Sequence, residues 1–250
     1  MKTDIALAVI GGTGVYRLEG VDWLDSLDLD TPYGKPSGPI RIAEIGGRRV
    51  AFLARHGEGH GVPPHQVNYR ANLKALQQLG AGRILAINTV GGIGAEYGPR
   101  VLAVPDQIID YTWGRISTLC EEPGTPVLHV DFGQPYTESL RQALLAACAA
   151  AGVPVVAGGC YGATQGPRLE SRAEIRRLRQ DGCDLVGMTG MPEAGLAREL
   201  ALDYASLCVV ANWAAGCDGE NAEITLEEVL ANVDSVSGSL RPIIDNLLSC

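Results

Sequence analysis

IALAVIGGTG, residues 5–14, is an apolar run of six residues that stops at a glycine turn. An unbroken run of this kind reads as a strand buried on both faces, inside a sheet covered by helices. The same form recurs outward from it. RVAFLA (49–54) runs into Arg55-His56-Gly57, RILAI (83–87) into Asn88-Thr89-Val90-Gly91-Gly92, and the short run 184–187 into Met188-Thr189. Further strands are expected at 101–104, 107–109, 153–161 and 204–211. Helical spacing covers 68–79, with Gly80 as its stop, and then 137–152 and 171–180. Residues 192–200 follow, with Pro192 in a first turn, and a closing helix is expected over 225–248, where Thr225 and Glu228 form a capping-box pattern. Strands and helices alternate throughout, which predicts an α/β fold with helices on both faces of one sheet. No linker interrupts the chain, so one domain is expected over residues 1–250.

Composition narrows the function classes. The chain is 46% hydrophobic, enough for a large core, and carries a net charge of −9. Its basic residues gather into no run, which argues against a nucleic-acid groove. Seven cysteines are scattered without a C-x-x-C pair, so zinc-ligand spacing is absent and reduced cytoplasmic thiols are expected. Residues 1–10 lack a cleavage pattern, and no apolar run approaches the roughly 20 residues of a membrane span. A cytoplasmic protein with no membrane partner is the expectation.

The polar segments after the strands hold the chemistry, because α/β proteins bind ligands at strand carboxyl ends. Thr13 and Thr189 supply hydroxyls, Arg55 a fixed cation beside the imidazole of His56, and the glycines backbone N–H groups. Together these suit an oxyanion. Taken singly, each has an ordinary alternative. The glycine turn, which lacks the G-x-G-x-x-G order of a dinucleotide site, is equally a tight structural turn. Arg55-His56 is equally a surface pair, and Thr189 a helix cap.

In combination the segments resemble the trimeric purine nucleoside phosphorylase and methylthioadenosine phosphorylase family, in order and spacing over nearly the whole chain. The markers are IGGTG (10–14), TPYGKPS (31–37), LARHG (53–57), VNYRAN (67–72), NTVGG (88–92), GPRLESRAE (166–174) and VGMTGMPEA (186–194). The resemblance implies a mixed sheet flanked by helices, a homotrimer, and reversible phosphorolysis of a nucleoside to a free purine and a sugar 1-phosphate. It implies phosphate binding by Thr13, Arg55, His56 and Thr189 with the backbone at Thr89, and a sugar contact from Met188. His129 stands where the family lends a side chain to the neighbouring subunit's site. Inorganic phosphate is then a co-substrate, and no metal or organic cofactor is expected.

Three positions bear on the substrate. Members of the family that use 6-oxopurines carry a glutamate and an asparagine where this chain has Glu170 and Asn212. Adenine-selective members have serine and aspartate there, and a second aspartate at the position of Ala214. Ionised Glu170 accepts from the N1–H of a 6-oxopurine, and the Asn212 amide donates to O6 or N7. Members that take unmodified ribose place a histidine at the position of Leu226. Leu226, Val229 and Leu230 would instead form an apolar wall for a methylthio group, where a buried hydroxyl would be costly. The expected substrate is S-methyl-5′-thioinosine. A broader 6-oxopurine nucleoside phosphorylase acting on inosine and guanosine, a methylthioadenosine phosphorylase, and a nucleoside binder without turnover stay open. So do a helix-capping role for Glu170, a core role for Leu226, and the roles of His60, His65 and Trp213.

Overall fold

The structure, a computed structural model of the chain, describes residues 4–12, 18, 20–121, 124–219 and 223–250. Strand β1 (Ile5–Gly11) runs parallel to β4 (Arg48–Ala54) on one side and to β5 (Arg83–Gly92) on the other. Its unbroken apolar run is explained by two separate cores. Leu7 and Val9 face one cluster with Phe52 and Leu85, while Ala8 and Ile10 face another with Leu53, Ile84 and Ala86. Helices α2 (Glu138–Ala150) and α6 (Leu240–Ser249) cover the first face through Leu140, Leu144, Ile243 and Leu247. Helices α1 (Tyr69–Gln78) and α4 (Glu193–Glu199) cover the second through Leu73, Leu76 and Leu196. Truncating a leucine in either layer to alanine costs about 2–5 kcal/mol.

The sheet is mixed and has eleven strands among the described residues. Two outer strands, β2 (Asp22–Leu27) and β3 (Ile40–Ile45), extend it antiparallel beyond β4 and were not expected from the sequence. On the other side lie β6 (Leu102–Val104), β7 (Gln107–Asp110), β8 (Val155–Ala157), β9 (Cys160–Ala163), β10 (Leu185–Gly187) and β11 (Asp203–Trp213). β5 is the hub. It pairs along its length with β11, and along its other edge first with β1 and then with β10.

Several sequence expectations are corrected. Residues 88–92 are not a loop after the third strand but its second half. The single strand expected over 153–161 is two strands, because Gly158 and Gly159 take φ of 110° and 101°, a left-handed region that breaks the ladder. The last strand continues two residues past 211, so Asn212 is a strand residue. Pro192 caps α4 rather than starting it. The closing helix is also two. α5 (Leu226–Ser237) ends at Gly238, and α6 starts after Ser239. The break lets Ile243, Ile244, Leu247 and Leu248 bury against the sheet, while α5 runs along the surface. The capping-box expectation held in part, since Thr225 accepts from the Glu228 N–H. Ser171 and Glu174, not singled out in the sequence, form a full capping box on α3 (Arg172–Gln180).

Candidate active site

The two halves of β5 create the site. β1 is paired to it as far as Ile10 opposite Ala86, whereas β10 approaches the same edge antiparallel, with Val186 opposite Gly91. Between them residues 87–90 have neither strand beside them. Continuing both registers brings Gly12 and Thr189 toward Asn88 from opposite directions, so two strand carboxyl ends point into one gap. The Asn88 Nδ2–H donates to Thr189 Oγ1 at 2.8 Å across it. Position 187 has to be glycine, because a Cβ there would overlap the Tyr161 hydroxyl. That hydroxyl accepts from the Thr189 N–H at 3.3 Å.

Arg55 follows β4 directly, and its backbone N–H donates to Gly11 O at 2.7 Å. Its side chain is 2% exposed. Nε and Nη2 donate to the two carboxylate oxygens of Glu193 at 2.7 and 2.9 Å. Nη1 donates to the carbonyl of Ile87 at 3.2 Å, and Nη2 to Ile10 O at 3.5 Å. Burial opposes the arginine's charge, but the Glu193 carboxylate outweighs it and holds the pKa above the ordinary value. Glu193 is fully buried at the start of α4 and also accepts from the Tyr204 hydroxyl at 2.9 Å. The guanidinium is therefore locked at the floor of the gap.

His56 is buried beside it. Nδ1 lies 2.8 Å from the Val62 carbonyl, which can only accept, so Nδ1 carries the proton and Nε2 is the acceptor. Burial lowers its pKa to about 4, with Arg55 and His60 adding to the effect, so the ring is neutral at pH 7. The exposed His60 ring lies against it with centroids 4.4 Å apart, and His65 is exposed in a short 3-10 turn.

Glu170 and Met188 meet this region through Thr164, which follows β9. The Thr164 hydroxyl donates to Glu170 Oε1 at 2.6 Å, while its N–H donates to Gly187 O at 2.8 Å. One Glu170 oxygen is thereby tied through Thr164 to the end of β10. Glu170 caps no helix; Ser171 does that. Asn212 lies in β11 opposite Gly91, which on its other edge faces Val186. Its amide donates to Trp213 O at 2.7 Å. Ala214 is buried just beyond, its N–H on Gly92 O at 2.8 Å.

The remaining expected residues divide. Thr89 is exposed on the bare stretch of β5. Thr13 and Gly14 lie outside the described residues. Leu226 is 72% exposed and Leu230 54% exposed at the start of α5, Val229 is half-buried, and His129 is exposed. Leu226 is therefore not a core leucine of this chain. Among the described residues no group of three His, Cys, Asp or Glu side chains is placed to hold a metal ion. No helix of the described residues is long and apolar enough to cross a membrane.

Sequence reasoning gave no role to three residues that shape the site. Glu193 sits inside the VGMTGMPEA marker but reads as an ordinary first-turn carboxylate. Asn88 reads as loop. Arg115 was not singled out, yet it donates to the carbonyls of Met188, Met191, Thr164 and Gln165 at 2.6–3.1 Å. It ties the 114–119 segment to the Met188 turn.

Comparison with known proteins gives one family. The phosphorylase superfamily model matches residues 6–249. The chain is 67% identical to the probable S-methyl-5′-thioinosine phosphorylase of Xanthomonas campestris pv. campestris, over 98% of each chain. It is 42% identical to the 6-oxopurine nucleoside phosphorylase of Pyrococcus furiosus, over 95% of this chain and 90% of that one. Among solved structures, a methylthioadenosine phosphorylase from an antarctic soil metagenomic library superposes with a TM-score of 0.91 at 33% identity, covering 100% of this chain and 86% of that one.

Proposed function

Because the chain belongs to the phosphorylase superfamily, we propose that it cleaves S-methyl-5′-thioinosine with inorganic phosphate, yielding hypoxanthine and 5-methylthioribose 1-phosphate in purine salvage. The observation that carries the substrate reading is the state of Glu170. Thr164 occupies one of its oxygens and leaves the other to accept, which suits the N1–H of a 6-oxopurine and not the bare N1 of adenine. Ala214 supplies no second carboxylate. An unmatched buried polar pair costs about 1–3 kcal/mol, roughly ten- to a hundredfold in selectivity.

The chemistry follows from charge. Breaking the glycosidic bond builds positive charge on the sugar, as in other oxocarbenium-like transition states. A phosphate seated at the bare edge of β5 stabilises that charge and then bonds to the carbon. Arg55, always protonated and held from beneath by Glu193, has one of its five N–H groups without a partner among the described residues and can donate it. Neutral His56 offers Nε2 as an acceptor, which favours a phosphate oxygen that carries a proton. Thr13, Thr189 and the backbone at Thr89 add donors. Met188 lies against the sugar, and Asn212 donates to the purine as electron density flows into it. No cofactor takes part.

A homotrimer belongs to the same proposal. Trp113, Ile116, Val127 and Leu128 are exposed apolar residues on the segment that carries His129, and Leu226 and Leu230 are exposed on α5. In a neighbouring subunit's grasp, Leu226 and Val229 would line the 5′ pocket and His129 would reach the adjoining site. A cytoplasmic setting is supported by seven free thiols. The second reading, a 6-oxopurine nucleoside phosphorylase for inosine and guanosine, shares Glu170 and Asn212 and differs only at the 5′ pocket. Assaying hypoxanthine release from methylthioinosine and inosine tests the choice. Preference for methylthioinosine supports the proposal, and equal efficiency favours the second reading.

A further inference from the structure

Behind the gap in β5 lies a chain of buried hydrogen bonds that runs from Ser206 through Asn88 to Thr189. Ser206 Oγ donates to Asn88 Oδ1 at 2.8 Å, and Asn88 Nδ2 donates to Thr189 Oγ1 at 2.8 Å. Ser206, Asn88 and Thr189 are all buried, so water does not substitute for a lost partner. Ser206 Oγ also lies 3.4 Å from Cys208 Sγ, and burial pushes that thiol up to about 12, so it stays protonated. The serine proton goes to Asn88 Oδ1. This fixes the amide, with its NH2 toward Thr189. The threonine oxygen receives that N–H, so its own proton must leave in another direction. The direction left is into the gap.

We infer that Asn88 and Ser206 are positioning residues that hold the Thr189 hydroxyl as a donor toward an anion at the bare edge of β5. The inference rests on the phosphorylase reading above. A flipped amide would present Oδ1 to Thr189, capture its proton, and leave only the lone pairs of the threonine oxygen toward the phosphate. The arrangement thus uses buried polarity to orient a donor before the ligand arrives, which is worth more than the same hydroxyl free to rotate.

A double-mutant cycle with inorganic phosphate as the varied substrate tests it. Asn88→Leu should raise KM for phosphate about fivefold or more while changing KM for methylthioinosine less than about twofold. In a Thr189→Val background the same substitution should change KM for phosphate less than about twofold. Ser206→Ala, a smaller change that carries the same test if the leucine variant does not fold, should raise KM for phosphate about two- to fivefold and lose that effect beside Thr189→Val. Circular dichroism confirms that the compared variants are folded. Equal effects in both backgrounds, or an unchanged phosphate KM in folded variants, overturn the inference while the wild-type enzyme still needs phosphate. A wild-type enzyme indifferent to phosphate overturns the phosphorylase reading and the inference together.

Discussion

Replacing Glu193 by glutamine tests the buried centre of the site. The carboxylate accepts three bonds, from Arg55 Nε at 2.7 Å, Arg55 Nη2 at 2.9 Å and Tyr204 at 2.9 Å. Glutamine keeps the shape but has a single acceptor oxygen, and its NH2 group must face a donor of Arg55 or Tyr204. The guanidinium, 2% exposed, is left without a counter-charge. Removing one partner of a buried pair costs roughly 3–5 kcal/mol. For a chain of this size each kcal/mol lowers Tm by about 2–4 °C, so a fall of roughly 6–20 °C is expected. KM for phosphate should rise as well, because Arg55 loses its fixed orientation. The assay is thermal unfolding followed by circular dichroism, with phosphate kinetics below the transition. Glu58→Gln is the control. Its partner Arg41 is on the surface at 2.9 Å, where such pairs contribute about 0–1 kcal/mol. A Glu193→Gln variant that melts within about 2 °C of the wild type and keeps its phosphate KM would refute the reasoning.

Other expectations concern pH, substrate and assembly. His56 has a folded pKa of about 4, below its ordinary 6.5, so the unfolded chain binds more protons between these values. Stability should be full above pH 6.5 and fall as pH drops toward 4, by on the order of 3 kcal/mol, and His56→Gln should remove that part of the slope in urea titrations. Leu226→His should shift preference from methylthioinosine toward inosine, because a histidine can hydrogen-bond the 5′-hydroxyl. No shift in kcat/KM would mean that Leu226 does not meet the 5′ group. Sedimentation should give a trimer, and Trp113→Glu with Val127→Glu should reduce it to monomers of low activity. Full activity as a monomer would remove His129 from the site.

The buried strands were legible because both faces of the sheet are covered. Residues 5–10, 50–54 and 84–87 carry no polar interruption, so their apolar runs mark strands. The outer strands β2 and β3 were not. DWLDSL, residues 22–27, is almost wholly exposed and shows no apolar period, while IRIAEI, residues 40–45, mixes charged and apolar residues over a short span. The site was legible as a set of residues but not as a shape. Arg55, His56 and Thr189 stand after strands, which a single chain reveals. The gap that collects them arises from β10 running antiparallel against the second half of β5, a pairing between residues about 95 apart that no local pattern encodes. Glu193 and Asn88 were missed for the same reason. Their importance lies in partners 138 and 101 residues away along the chain.

The most direct test of the substrate reading is purine release from methylthioinosine, methylthioadenosine and inosine, each with and without phosphate. We expect release only with phosphate, and kcat/KM for methylthioinosine above the other two by about tenfold or more. Equal release without phosphate would contradict the phosphorylase chemistry, and equal kcat/KM for methylthioinosine and methylthioadenosine would contradict the roles given to Glu170 and Asn212.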